Sequence, residues 1–507
     1  MARFVAVSQP EPVPVVVGAG YVTRHPVDLD TTTEPADLIA AAIGEAATDA
    51  HLGAAGLAGI DSLDVLNLLS WKYADPCGAV AGRIGARPSR AMFSELGGEQ
   101  PTALIDAAAR RVQQGHSSVA VIAGGETLAS RRLWGRAGQE PPWSPRGEPP
   151  VALDAFYGVR HGLAESGLGD PTQIYPLMEN AHRAASGLSL EQNQAASGRI
   201  WAGLSEVASR TPGAWVPDAV SAEEIVNPSA ANRPIAHPYL KLMCAQPMVD
   251  QAAAVVVTST DQARRLGIPE DRWVYPWAGA GAHDSVEVLD RATYATSEPL
   301  RRSILDALAI AGLSPAEVDA LELYSCFPIV PKLALEALGL GDATPCTVAG
   351  GLTFYGGPLN AYMLCAAVHM VHALRRRAGT GLLYGNGGYL TKHHTLIVGT
   401  DPPPGGRHRG DEPTERQAAL DCRPAPQVVS RPAGPATVET YTVLYDRAGV
   451  PERGVVIGRL DEGGRFAARV APNPDELAVL VDGIDQPIGR GGTVVAGDHG
   501  GSVFTLA

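Results

Sequence analysis

No two of the six cysteines, Cys77, Cys244, Cys326, Cys346, Cys365 and Cys422, stand in a C-x-x-C pair. Scattered cysteines leave neither a zinc pattern nor a disulfide framework, and they fit a reducing compartment. The adjacent His393 and His394 fall in a predicted strand. Neighbours in a strand point to opposite faces, so this pair makes no metal site, and no metal is expected. Long Lys/Arg runs are also missing. Forty basic residues against 54 acidic ones give a net charge of −14, which speaks against general nucleic-acid binding. No apolar run reaches the ~20 residues that span a bilayer. The opening MARFVAVSQPEP has no apolar signal-peptide core. A cytoplasmic protein with neither membrane nor nucleic acid as partner is therefore expected.

What is present is a 507-residue chain, 45% of it hydrophobic. That is too long for one core and rich enough for two or three. Leu38, Ile39, Ala42, Ile43 and Ala46 recur at helical spacing between Pro35 and His51. Strands are predicted at 12–20, 60–66 and 118–123, with a helix at 102–114. The plan returns at 303–313 (helix), 320–324 (strand), 331–338 and 358–376 (helices) and 381–384 (strand). Two similar α/β halves predict a duplicated, layered α/β/α/β/α fold. The predicted units are an N-terminal half (1–129), a loop or lid region (130–250), a C-terminal half (251–400), a linker (401–435) and a small β-barrel (436–507). The loop region opens with the proline- and arginine-rich LWGRAGQEPPWSPRGEPP, which reads as irregular. The linker carries DPPPGGRHRGDEPTER. The barrel is read as all-β from alternation in ATVETYTVLYD and recurring turns, with an oligonucleotide/oligosaccharide-binding (OB-like) topology in view. It lacks an aromatic-plus-basic stripe for nucleic acid.

Three loops punctuate Leu323–Gly388, the last two rich in glycine: Tyr324-Ser325-Cys326-Phe327, Gly350–Pro358 (GGLTFYGGP), and Tyr384-Gly385-Asn386-Gly387-Gly388. Loops that follow strands of one sheet meet at a common end, where α/β ligand sites form.

These motifs resemble a thiolase of the sterol-carrier-protein type. Tyr324–Phe327 is similar to that subgroup's His-Asp-Cys-Phe, and Gly350–Pro358 to its Gly-Gly…Gly-His-Pro. Val119–Glu126 (VAVIAGGE), Met178–Ala181 (MENA), Tyr239–Cys244 and Asp250–Ala254 also resemble family segments in family order. With the added C-terminal β segment, the chain most resembles the actinobacterial thiolase-like proteins of type 1. The resemblance implies a CoA-thiolase relative, monomer or homodimer, with no permanently bound cofactor and an acyl-CoA thioester as substrate or ligand.

A thiolase uses a cysteine at a helix N-terminus, an activating histidine, a second cysteine and oxyanion holes. Transferred residue by residue, the nucleophile falls on Gly97, or on Gly98 with a one-residue gap. The histidine falls on Gly357 and the second cysteine on Tyr384. Only Cys326 keeps a subgroup cysteine. The expected pocket is Tyr324, Cys326, Tyr355, Tyr384 and Asn386, with backbone N–H groups of Gly356, Gly357 and Gly387 as oxyanion donors. Tyr324 or Tyr384 would move the proton, aided by Lys392, His393 or His394. Cys326 as inert packing, and both tyrosines as structural, are the competing readings.

Three functions stay open. One is acyl transfer or C–C chemistry on an acyl-CoA without the usual nucleophile. Another is a catalytically inactive CoA- or acyl-binding protein or partner subunit. The third is a retro-aldolase on a β-hydroxyacyl-CoA that uses tyrosines.

Overall fold

Helix Pro35–Asp49 buries Leu38, Ile39, Ala42, Ile43 and Ala46 against the first of two five-stranded sheets. This is the stripe its spacing predicts. The computed structural model describes residues 11–148, 163–410, 414–471, 473–484, 486–497 and 501–507. The first ten residues, which carry most of the segment read for a signal peptide, lie outside these. So do the last two of the LWGRAGQEPPWSPRGEPP stretch and Asp411–Pro413 of the linker.

Among the described residues from Pro14 to Ser259 lie seven strands: β1 (Pro14–Arg24), β2 (Ser62–Val65), β3 (Arg90–Phe93), β4 (Val119–Thr127), β5 (Pro234–Ala236), β6 (Tyr239–Leu240) and β7 (Asp250–Ser259). Five of them make a sheet in the order β1-β7-β4-β2-β3. Next come β8 (Tyr275–His283), β9 (Ala320–Leu323), β10 (Thr380–Gly387), β11 (Lys392–Gly399) and β12 (Arg409–Gly410), in the order β12-β8-β11-β10-β9.

The two sheets repeat one wiring. β2 and β4 run parallel, β4 and β7 antiparallel, β7 and β1 antiparallel. The series β9, β10, β11, β8 repeats these relations in the same sequence. Helices Gln100–Gln113 and Tyr362–Arg376 contact both sheets and form the middle layer. Tyr362–Arg376 is accordingly apolar nearly all round, as a helix between two sheets must be. Pro35–Asp49 and Glu298–Ala311 cover the outer faces, which completes the layered α/β/α/β/α arrangement.

Four expectations need correction. Residues 251–259 do not belong to the second half: β7 is buried between β1 and β4 of the first sheet. The stretch read as irregular from Leu133 begins inside helix Leu128–Ala137. Beyond it, Trp143 packs edge-on against Trp71 at 5.1 Å. The 401–435 segment is no bare linker. Its β12 adds a parallel edge to β8. Its His408 ring bridges the Pro276 carbonyl (3.0 Å) and Asp106 Oδ1 (2.6 Å). Helix Thr414–Asp421 follows.

The C-terminal unit is not all-β either. β13 (Gly434–Tyr445), β14 (Pro451–Leu460), β15 (Arg465–Val470), β16 (Gly491–Ala496) and β17 (Ser502–Leu506) close a five-stranded barrel in the order β13-β14-β15-β17-β16. Helix Pro474–Val481 sits between β15 and β16, opened by an Asn473 side-chain cap with proline in the first turn. With its parallel β15–β17 pair, this is the OB-like arrangement. The barrel is docked, not tethered. Ala236 of β5 pairs with Leu444 of β13. Asn180 Nδ2 donates to the Tyr441 carbonyl at 3.0 Å.

Candidate functional site

β9 and β10 run parallel in the register Leu323↔Tyr384, so the loops that leave them emerge at one end of the sheet. The Tyr324 N–H donates to the Tyr384 carbonyl (3.1 Å) and holds the two exits together. The first half meets them there. The Gly97 N–H donates to Asn360 Oδ1 at 2.9 Å, and Asn360 Nδ2 donates to the Asn67 carbonyl at 2.8 Å. Gly98 approaches so closely that a Cβ on it would lie 2.4 Å from Tyr324 Oη and 2.5 Å from the Asn386 carbonyl oxygen. The loop preceding helix Gln100–Gln113 and the three loops at 324–327, 350–358 and 384–388 thus converge. Between them lies a cavity of about 360 Å³.

Its wall includes Tyr324, Cys326, Gly357, Asn386 and Gly387 from the expected set. Tyr355, Gly356 and Tyr384 are not on it. Tyr355 ends the π-helical turn Gly351–Tyr355 and is fully buried, its ring against His369 (5.0 Å) and Tyr362 (6.4 Å). Gly356 turns toward Gln251, whose Oε1 would meet a Cβ there at 2.4 Å. Tyr384 lies deeper in β10, and its hydroxyl is engaged with His393 Nδ1 at 2.8 Å. Burial pushes that phenol well above its ordinary pKa, which disfavours the phenolate that a base would need. Nor do Lys392 and His394 assist it: Lys392 pairs with Glu95 (3.0 Å), and His394 points to Asp106 (3.6 Å). Gly357 cannot serve as an oxyanion donor, because its N–H already bonds the Gln246 carbonyl at 2.9 Å.

Cys326 is on the wall but poorly set for attack. Burial pushes its thiol up to about 12, against smaller lowering contributions that include Tyr175 and Asn386. A thiol so placed is a weak nucleophile at neutral pH. Asn386 Nδ2 lies 3.8 Å from its sulfur and donates to Tyr175 Oη at 2.9 Å. Tyr175 in turn donates to the Gly388 carbonyl (2.8 Å) and stacks on Phe327 at 4.5 Å. Gly97, the position that the resemblance matches to the family's nucleophile, is not on the wall, and the Glu99 carboxyl group fills the space its side chain would occupy.

Sequence reasoning missed Tyr175, Phe327 and Asn360 as site residues. Asn360 stands two residues after Gly356-Gly357-Pro358, and that proximity was a usable signal. Tyr175 opens a segment three residues before Met178, but nothing local marks its hydroxyl as reaching β10.

Two family profiles match the chain. One is the thiolase-like protein type 1 additional C-terminal domain, at residues 415–499, and the other a thiolase C-terminal domain-like profile, at 280–344. The acetyl-CoA acetyltransferase of Methanothermobacter thermautotrophicus is 30% identical over 234 residues, 43% of this chain and 57% of that enzyme. That of Methanocaldococcus jannaschii is 28% identical over 167 residues, or 40% of its length. The chain therefore spans about half the length of the curated relatives it matches. The Ltp2–ChsH2(DUF35) aldolase shares the fold at 19% identity and TM-score 0.59, over 77% of this chain and 98% of that one. The crystal structure of a monomeric SCP2-thiolase-like protein type 1 from Mycobacterium smegmatis superposes with TM-score 0.84 at 31% identity, covering 98% of this chain and all of its own. Both the duplicated sheet wiring and the closed barrel lie within that likeness, and the chain belongs to the thiolase-like proteins of type 1 in the thiolase superfamily.

Proposed function

We propose that the protein binds an acyl-CoA thioester in the cavity at the meeting of the glycine loops, and acts on its acyl group by proton transfer, in acyl transfer or C–C bond chemistry, without an acyl-cysteine. The observation that carries this reading is the state of Cys326, the cysteine on the cavity wall. Burial holds it as a thiol, with a pKa pushed up to about 12. Gly97 and Gly357, at the positions matched to the family's nucleophile and histidine, offer no side chain to replace it. The acyl-CoA itself comes from the relatives' names and from the family.

The test is to incubate the protein with acetyl-CoA, acetoacetyl-CoA and a β-hydroxyacyl-CoA and follow products by mass spectrometry, with Cys326→Ala alongside. Turnover that survives in Cys326→Ala supports the proposal. Turnover abolished in Cys326→Ala, with an acyl adduct on Cys326 in the parent protein, overturns it.

A non-catalytic CoA- or acyl-binding protein is the second reading. It is favoured by the committed Gly357 N–H, which removes one oxyanion donor. Saturable binding without product supports it. In a retro-aldol reading the usable tyrosine is Tyr324, which lines the cavity, and not Tyr384. A cytoplasmic location and action as a monomer or homodimer belong to the same proposal. Six unpaired cysteines fit a reducing compartment. No helix among the described residues is long and apolar enough to cross a membrane.

A further inference from the structure

Asn386 is on the cavity wall and only 1% exposed. Its amide oxygen Oδ1 has no hydrogen-bond partner. Among the described residues that line the cavity, it is the one buried side-chain nitrogen or oxygen left in that state. An unpaired carbonyl oxygen in the interior is costly, so a partner for it is expected.

Tyr175 fixes which way the amide points. Its hydroxyl lies 2.8 Å from the Gly388 carbonyl oxygen, 3.1 Å from the Leu390 nitrogen and 2.9 Å from the Asn386 amide. The Gly388 carbonyl can only accept, so it takes the one phenolic proton. The Leu390 N–H can only donate, and it fills one lone pair of the hydroxyl. The other lone pair faces Asn386, so the group there is the NH2. A flipped amide would set two oxygens together with no proton between them. Nδ2 also lies 3.8 Å from Cys326 Sγ. Tyr175 and Cys326 both line the cavity, so the amide belongs to its wall.

At roughly 30 Å³ for each water-sized group, a cavity of about 360 Å³ holds on the order of a dozen of them. That is room for an acyl chain and not for a nucleotide. Leu69, Leu96, Ala245, Phe327 and Leu352 supply apolar wall. A saturated chain and a thioester carbonyl have no proton to give Oδ1, whereas a hydroxyl has one. A plain chain that displaces water from this end leaves the oxygen unpaired, and a hydroxylated chain restores the bond.

We propose that Asn386 Oδ1 is the specificity contact of the cavity and accepts a hydrogen bond from a hydroxyl group on the acyl chain of the bound thioester. The proposal rests on the acyl-CoA reading above. It goes further by naming the substrate class, a hydroxyacyl group, and the protein atom that selects it. Tyr175 is the positioning residue that keeps Oδ1 available.

The test measures the affinities of butyryl-CoA, α-hydroxybutyryl-CoA and β-hydroxybutyryl-CoA by calorimetry, with both enantiomers of each hydroxyacyl ligand. In the parent protein at least one hydroxyacyl ligand binds about ten-fold more tightly than butyryl-CoA, one hydrogen bond's worth. In Asn386→Leu, which has no acceptor, that ratio falls to about one. In Tyr175→Phe, which keeps Asn386 and frees its amide to turn, the ratio falls part of the way. Thermal melting confirms that both variants are folded, and the parent ratio with Tyr175→Phe decides the matter if Asn386→Leu does not fold. Ratios near one in the parent overturn the proposal and leave the acyl-CoA reading standing. Equal weakening of all the ligands in Asn386→Leu would then assign the oxygen to a pantetheine N–H. A parent ratio that survives in Asn386→Leu also overturns the proposal. Binding of none of the ligands sinks the acyl-CoA reading, and the hydroxyl contact with it.

Discussion

The hydroxyl of Tyr384 lies 2.8 Å from Nδ1 of His393 on the neighbouring strand, and both side chains are out of water. Their rings are nearly coplanar, 14° apart with centroids at 6.0 Å. Burial pushes the phenol well up and the imidazole down to about 3, so the pair is neutral and the phenol donates. His393 Nε2, 3.5 Å from Ser297 Oγ, then carries the ring proton. The pair braces β10 against β11 next to the cavity.

Tyr384→Phe tests that bracing role. The variant removes one buried hydrogen bond and leaves His393 Nδ1 unpaired, which costs about 1–3 kcal/mol. Urea denaturation should register that loss. Acetyl-CoA affinity by calorimetry should stay within about two-fold, well under one hydrogen bond's worth. A proton-transfer role would reverse the pattern, with activity lost and stability kept.

Acidification should act through His393. Its folded pKa of about 3 lies below its ordinary 6.5. The unfolded chain takes up this proton as pH drops below 6.5, whereas the folded chain resists until near 3. The stabilising contribution is thus whole above pH 6.5 and is lost as pH falls toward 3. His393→Asn lacks that term, so its stability gap to the parent should narrow on acidification, measured by denaturant midpoints. Parallel curves would contradict the buried, neutral histidine.

Thiol labelling separates Cys326 from Cys422. The first is buried with its pKa pushed up to about 12, and the second is exposed. Iodoacetamide at mildly alkaline pH should label Cys422 first, leaving Cys326 unmodified in the folded protein, as read from peptide masses. Equal rates would mean that Cys326 is an activated nucleophile.

Arg465 pins the barrel to the core. It is wholly buried, bonds both Glu439 oxygens (2.9 and 2.5 Å), and donates to the Leu289 carbonyl at 2.8 Å. Arg465→Leu leaves the Leu289 carbonyl without its donor and Glu439 with Arg459 alone, at a cost of about 1–3 kcal/mol. Limited trypsin digestion should then cut faster at the exposed Arg447, in the turn between β13 and β14.

Much of this was readable from the chain. The Leu38–Ala46 stripe and the loops at 323–388 carry their own periodicity and turn chemistry; they led to the right layers, and Tyr324, Cys326, Gly357, Asn386 and Gly387 do share one cavity wall. Other parts depend on distant neighbours. β12 is two residues of backbone pairing inside a polar, proline-rich stretch, with no apolar pattern to reveal it. Helix Pro474–Val481 did announce itself, through Asn473 and Pro474, but the alternating strands on either side masked it. Tyr384 and Asn386 share a strand face, and sequence spacing cannot tell which reaches the cavity and which stops inside the sheet.

The pairing of Ala236 with Leu444, joined by a His237 N–H bond to the Val443 carbonyl at 2.8 Å, fixes an order of completion during synthesis. The segment around Ala236 leaves the ribosome roughly two hundred residues, or about ten to forty seconds, before its partner strand does. For that interval β5 has an open edge, and a nascent chain halted before the barrel would keep it.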